Sequence, residues 1–242
     1  MAKFLVSMIK AFLQALSQLG DMSFRRVLWI GLAGSAGMFV FLWLAVGFFL
    51  FNTEFFNFSG LLGVLNTALE WLTDIFGIAA VVFLSWLLFP AVVSVIVSFF
   101  LEDAAQAVEA KHYPNLPQSR RQGVTEALGV TLKFAGLAIL LNILALPVYA
   151  MLFFIGPFNF FVFYALNGYL LGREFFELVA HRRATPDQAR HLRRAHKGQL
   201  FLAGVVIAFM MTIPIVNLIA PVIATAAMVH LTQNWRSRVK RI

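Results

Sequence analysis

Polarity along this chain is laid out in long blocks. Residues 27–53, 75–101, 134–172 and 198–235 carry no Asp, Glu, Lys or Arg. A spanning helix needs about 20 apolar residues, so each block is long enough to enter a bilayer. The first two blocks each fit one long spanning helix. Gly31, Gly34 and Gly37 give the first a small face for close helix packing, and Pro90 predicts a kink in the second. Residues 1–22 follow another rule. Phe4/Leu5, Met8/Ile9, Phe12/Leu13, Leu16 and Leu19 recur at helical spacing, with Lys3, Lys10, Gln14 and Gln18 opposite. A signal segment would be apolar all round, so this pattern predicts an amphipathic helix lying in the membrane interface.

The last two blocks are interrupted. Pro147 and Gly156-Pro157 break the third, and Pro214, Asn217 and Pro221 break the fourth. Charge sets their topology. All 19 Lys and Arg lie before residue 27 or after residue 110, whereas residues 52–74 hold Glu54, Glu70 and Asp74 and no cation. Basic loops stay cytoplasmic, so helix one goes out, helix two returns, and both termini are cytoplasmic. The last two blocks are basic at both ends, so each must enter and leave on that side. Arms of about 15 residues in the fourth block reach roughly 20–25 Å, short of a hydrocarbon core of about 30 Å. The prediction is two partially inserted, re-entrant hairpins, 134–172 and 198–235. Turn backbone at membrane depth must be buried in protein or line a wet cavity, which implies partner helices, as in an oligomer. Asn217 is then expected to hold the tip backbone between Pro214 and Pro221. The alternative is four ordinary short spans in a thinned bilayer.

Composition agrees with a membrane protein: 61% of residues are hydrophobic and 12% charged. Soluble domains are about 45–50% apolar and about 25% charged. The net charge of +8 reads first as cytoplasmic loops, not as a nucleic-acid surface. No long linker separates a soluble part, so residues 1–242 read as one helical membrane domain. Between the blocks lie amphipathic cytoplasmic helices, one ended by Pro114 and Pro117. Another is opened by a capping box, with Thr185 as cap, Pro186 first and Gln188 completing it. Its Arg190, Arg193, Arg194 and Lys197 form one basic stripe, facing either anionic headgroups or incoming substrate anions.

Several chemistries are missing. Without Cys there are no disulfides, iron–sulfur clusters or thiol catalysis. His112, His181, His191, His196 and His230 include no zinc-type pair, and no phosphate-binding loop or serine-nucleophile motif occurs. No metal, cofactor or enzymatic activity is expected. One stretch, Gly20–Val27, has chemistry suited to an anion. Ser23 reads as the cap of helix one, whose N-terminus favours negative charge, and Arg25 and Arg26 add planar donor forks. Glu102 and Asp103 end helix two on the same membrane face. They are expected to form a charge network that orients these arginines and weakens anion binding enough for release.

Together these pieces resemble the CysZ family of bacterial sulfate permeases and its wider relatives named for an etoposide-induced protein. The resemblance rests on Ser23-Phe24-Arg25-Arg26 at the entry to the first span, on "FFLEDAAQAVE" after the second, and above all on "IPIVNLIAPVIATAAM" in the last hairpin. It implies two full spans and two partial hairpins assembled as dimers or higher oligomers. It also implies sulfate uptake across the bacterial inner membrane for cysteine synthesis, without an ATPase. Sulfate is then expected at Ser23, Phe24, Arg25 and Arg26, with Ser23 standing where family members often have Gly. The alternative is a membrane scaffold or lipid-interacting protein of the same fold that does not carry sulfate.

Overall fold

The computed structural model describes residues 2–51, 64–120, 123–153 and 156–239. Glu54, Arg121, Lys240 and Arg241, which entered the topology reading, lie outside the described residues. Every regular element among the described residues is helical. In chain order these are α1 (Ala2–Ser17), α2 (Met22–Phe51), α3 (Val64–Ser98), α4 (Leu101–His112), α5 (Val124–Leu152), α6 (Phe158–Ala180), α7 (Pro186–Ala195), α8 (Lys197–Thr212), α9 (Pro214–Asn217) and α10 (Ala220–Val239). Three stretches are long and apolar enough to cross a membrane: Phe24–Phe48, Leu69–Trp86 and Thr125–Leu152. Helices α7 and α8 pass the same test as one pair bent by 87°, the shape of a broken span or a re-entrant loop. The chain is a multi-pass membrane protein.

Two compact units divide the chain: Leu28–Ser98, and Met1–Val27 with Phe99–Ile242. In the first, α2 and α3 pack through small residues. A Cβ on Gly31 would lie 2.6 Å from a Val97 methyl, and one on Gly34 would touch Ile96 at 3.4 Å. Gly37 has nothing within 4 Å, so the predicted small face is used at two of its three positions. Ser85, buried on α3, accepts a hydrogen bond from the Trp43 indole at 2.8 Å, which satisfies a hydroxyl within an apolar stretch. Helix α3 starts earlier than predicted, so Glu70 and Asp74 sit inside it and not in an external loop.

The larger unit is organised around α10. Residues 220–233 of this helix are all buried, and α1, α4 and α6 pack against it. Ala220, Ala224, Ala226 and Ala227 allow that crowding because small side chains let helices approach closely. The second arm of the last hairpin thus packs against helices of its own chain. Helices α6 and α8 are in closer contact still. A methyl group on Gly204 of α8 would overlap the Gly168 carbonyl and the Gly172 amide of α6. That Gly-x-x-x-Gly spacing was not picked out in the sequence. Gln18, placed on the polar face of α1, turns out to be buried, its amide donating to His112 at 2.9 Å and His230 at 2.8 Å.

The hairpins differ from each other. Pro147 lies inside α5, which continues to Leu152, and the chain turns at Gly156, whose φ of +79° suits a residue without a Cβ. With 29 residues α5 is roughly 43 Å long, so the first hairpin is not too short to cross, as the position of Pro147 implied. The second hairpin breaks where predicted. Pro214 opens the single turn α9, and Pro221 falls in the first turn of α10, where a missing N–H costs nothing. The tip closes through its own backbone: Asn217 N–H donates to the Ile213 carbonyl at 2.7 Å and Ile219 N–H to Val216 at 3.0 Å. No described residue hydrogen-bonds the Asn217 side chain, so it does not hold the turn as expected.

Candidate oxyanion site

The entry to α2 is fixed from below. Asp21 occupies the cap position, its carbonyl accepting from Arg25 N–H at 3.0 Å. Ser23 therefore falls one residue inside the helix and is not its cap. Lys111 of α4 holds the Asp21 carboxylate through both oxygens, at 2.7 and 2.8 Å. Phe24 is only 1% exposed and anchors the first turn in the larger unit. Arg25 and Arg26 are exposed, and neither forms an ion pair among the described residues.

The acids on α4 are engaged elsewhere. Glu102 pairs with Arg182 at 2.9 Å, and Glu109 with Arg182 at 3.2 Å and Arg183 at 2.9 Å. Asp103 is exposed and makes no ion pair among the described residues. The expected link from Glu102 and Asp103 to Arg25 and Arg26 is thus replaced by one to the end of α6. Geometry explains the choice. Positions 102 and 109 are two helical turns apart and share a face, which α4 turns toward Arg182 and Arg183, whereas position 103 is rotated away by about 100°.

A second cationic arrangement lies between α5, α6 and α7. Its pocket has a volume of about 80 Å³. Lys133 enters from α5, Arg173 and Glu177 from α6, and Arg190 and Arg193 from α7, with His181 just past the end of α6. Four cations thus face one carboxylate. Glu177 Oε1 receives both Arg173 Nε at 2.7 Å and Arg193 Nη1 at 2.5 Å, so one acid aligns two guanidinium forks. Arg173 also lies over the Phe134 ring, 5.6 Å from its centroid, which holds its plane. Lys133 makes no ion pair among the described residues.

The electrostatics follow from burial. Desolvation pushes the Arg193 guanidinium below its usual range, and the neighbouring Arg173 charge adds to that. His181 is buried and its Nδ1 has no hydrogen-bond partner. Burial lowers its pKa from 6.5; Glu177 and Glu126 act upward, Arg120 and Arg193 downward. The pocket is therefore rich in donors and short of acceptors. Its size admits a few waters or one small polyatomic ion, well below the roughly 300–1,000 Å³ of an organic-ligand site. Among the described residues no group of three or more His, Asp or Glu side chains is placed to hold a metal.

The local sequence builds this pocket. Thr185 caps α7 and closes a capping box with Gln188, at 3.1 and 3.4 Å, as predicted. That box fixes the phase of α7 and turns Arg193 toward Glu177 of α6, with Arg190 at the exposed rim of the pocket 3.7 Å from Asp187, while Arg194 and Lys197 stay exposed outside it. The single basic stripe read in the sequence is thus divided. Arg173 and Glu177 are four apart, a spacing that signals a helical ion pair. Lys133 had no local signal, because its place depends on how α5 packs against α6.

No curated protein and no solved structure matches this chain. A family model does match, over residues 11–221, from α1 to the start of α10. It is described as sulfate transporter CysZ/etoposide-induced protein 2.4. Because the match takes in most of the sequence, the chain belongs to the sulfate transporter CysZ/etoposide-induced protein 2.4 family.

Proposed function

We propose that this protein is a sulfate permease of the bacterial inner membrane, serving cysteine synthesis, with both termini cytoplasmic and the chain assembled as a homo-oligomer. One observation supports this reading most: the pocket of about 80 Å³ in which Lys133, Arg173, Arg190 and Arg193 outnumber Glu177. Planar guanidinium forks match a tetrahedral dianion better than chloride, since each can donate two parallel hydrogen bonds. Arg25 and Arg26, exposed at the start of α2, gather the anion by their charge. Glu177 keeps the pocket from holding it too long, because its carboxylate competes for two of the cations.

Sulfate should raise the melting temperature of the purified protein in detergent, and chloride at equal ionic strength should not. A ligand at 100 times its Kd stabilises the folded state by about 2.7 kcal/mol. The effect should depend on pH through His181, with Glu177, Glu126, Arg120 and Arg193 around it. Burial holds His181 below 6.5 in the free site, so the ring is neutral at pH 7. A bound dianion favours the imidazolium and raises that value. Sulfate affinity therefore rises as pH falls from the bound-state pKa of His181 toward its lower free-site value, and His181→Gln removes the slope. A sulfate response absent at every pH would favour a same-fold scaffold.

The second hairpin is proposed to enter the membrane only partway. Helix α8 has 16 residues, roughly 24 Å, short of a hydrocarbon core of about 30 Å. Asn217→Cys should resist a membrane-impermeant thiol reagent added from outside. Rapid labelling from outside would mean two full spans.

A further inference from the structure

Helices α1 and α10 and the segment after α4 wall a larger cavity, of about 490 Å³. Lys10, Arg183 and Arg236 line it, and no carboxylate does. Arg183 is already engaged by Glu109. Lys10 and Arg236 form no ion pair among the described residues; Arg236 donates only to the Arg183 carbonyl, at 3.3 Å. Burial pushes the Arg236 guanidinium below its usual range, and the Arg183 charge adds to that, so the cation is held at a cost that an anion would offset. Gln233 also lines the cavity. It is 7% exposed, yet no described residue hydrogen-bonds its side chain. As a cavity-lining side chain its amide is available to a polar ligand there.

Size and surroundings narrow the ligand. The volume falls in the range of about 300–1,000 Å³ that holds organic molecules, so the site is too roomy for a bare oxyanion. Lys10 and Gln14 also border a shallow apolar groove on α1, formed with Val6, Ile9 and Leu13, all exposed. A cationic chamber is thus continuous, through two shared residues, with an apolar strip on a helix of interfacial character. We propose that this site binds one anionic phospholipid, its phosphodiester in the chamber with Lys10 and Arg236 and an acyl chain along Val6, Ile9 and Leu13. The site is independent of the sulfate reading, because it shares no residue with the smaller pocket.

Native mass spectrometry of the delipidated full chain tests this, with phosphatidylglycerol, phosphatidylcholine and glycerol 3-phosphate as probes. One phosphatidylglycerol should be retained about tenfold more strongly than phosphatidylcholine, and glycerol 3-phosphate should not bind detectably. Lys10→Gln and Lys10→Gln/Arg236→Gln should each reduce that preference, the double variant abolishing it, with the lipid-free melting temperature unchanged. Lys10 is exposed, so the single variant reads binding without a folding defect. Equal retention of both lipids, unchanged retention by both variants, or binding of glycerol 3-phosphate as tight as that of the lipid would overturn the proposal.

Discussion

Replacing Glu109 with Gln is expected to cost about 3–5 kcal/mol of stability, the largest effect of any single charge-neutralising change in this chain. Glu109 is 3% exposed and receives Arg182 Nη2 at 3.2 Å and Arg183 Nε and Nη2 at 3.0 and 2.9 Å. Both arginines are nearly inaccessible, so removing the carboxylate leaves Arg183 with no ion pair, only the Pro117 carbonyl, and Arg182 with only the exposed Glu102. Gln presents one carbonyl oxygen and no charge in its place. Glu102 provides the control. It binds the same Arg182 at 2.9 Å, but its side chain is 75% exposed. Exposed ion pairs contribute about 0–1 kcal/mol, so Glu102→Gln should be nearly silent. Unfolding of both variants in detergent measures the difference. Equal losses would mean that burial does not govern this cluster.

The second large effect concerns transport. Arg173→Gln with Arg193→Gln removes two of the four cations of the small pocket and both of those that Glu177 aligns. Sulfate-dependent stabilisation should disappear and sulfate flux should fall at least tenfold. Glu177→Gln should act differently. It frees both guanidinium groups to meet the anion, so affinity rises while flux falls, because a permeating ion must also leave. Opposite changes in affinity from the two variants, with flux falling in both, would separate a permeation site from a structural cluster. If the helices merely needed these ion pairs for packing, both would lower thermal stability and neither would change sulfate affinity in proportion.

Much of this architecture was legible in the sequence because block lengths, charge and capping act locally. The capping box at Thr185 and Gln188, the break at Pro214 and the end of α4 before Pro114 follow from rules that need only neighbouring residues. Depth was harder to read. Pro147 looked like the end of an arm, yet α5 runs through it, since a helix tolerates one proline when the surrounding apolar residues all favour the same rod. The site was only partly legible. Arg25 and Arg26 mark an obvious charge pair, but Ser23 is not the cap, because Asp21 takes that position with Lys111 bound to its side chain. The partners of Glu102 could not be deduced from α4 alone, because Arg182 lies 80 residues away and meets it only through the packing of α6. For the same reason the convergence of Lys133, Arg173 and Arg193 appears only in three dimensions, although the four-residue spacing of Arg173 and Glu177 was open to view.

Labelled sulfate uptake into liposomes containing the purified protein tests the proposed function most directly. Wild-type protein should carry sulfate down its gradient without ATP, and Arg173→Gln/Arg193→Gln should reduce that flux at least tenfold while remaining folded and inserted. Sulfate entry no faster than into protein-free liposomes, or equal flux through the folded double variant, would contradict it.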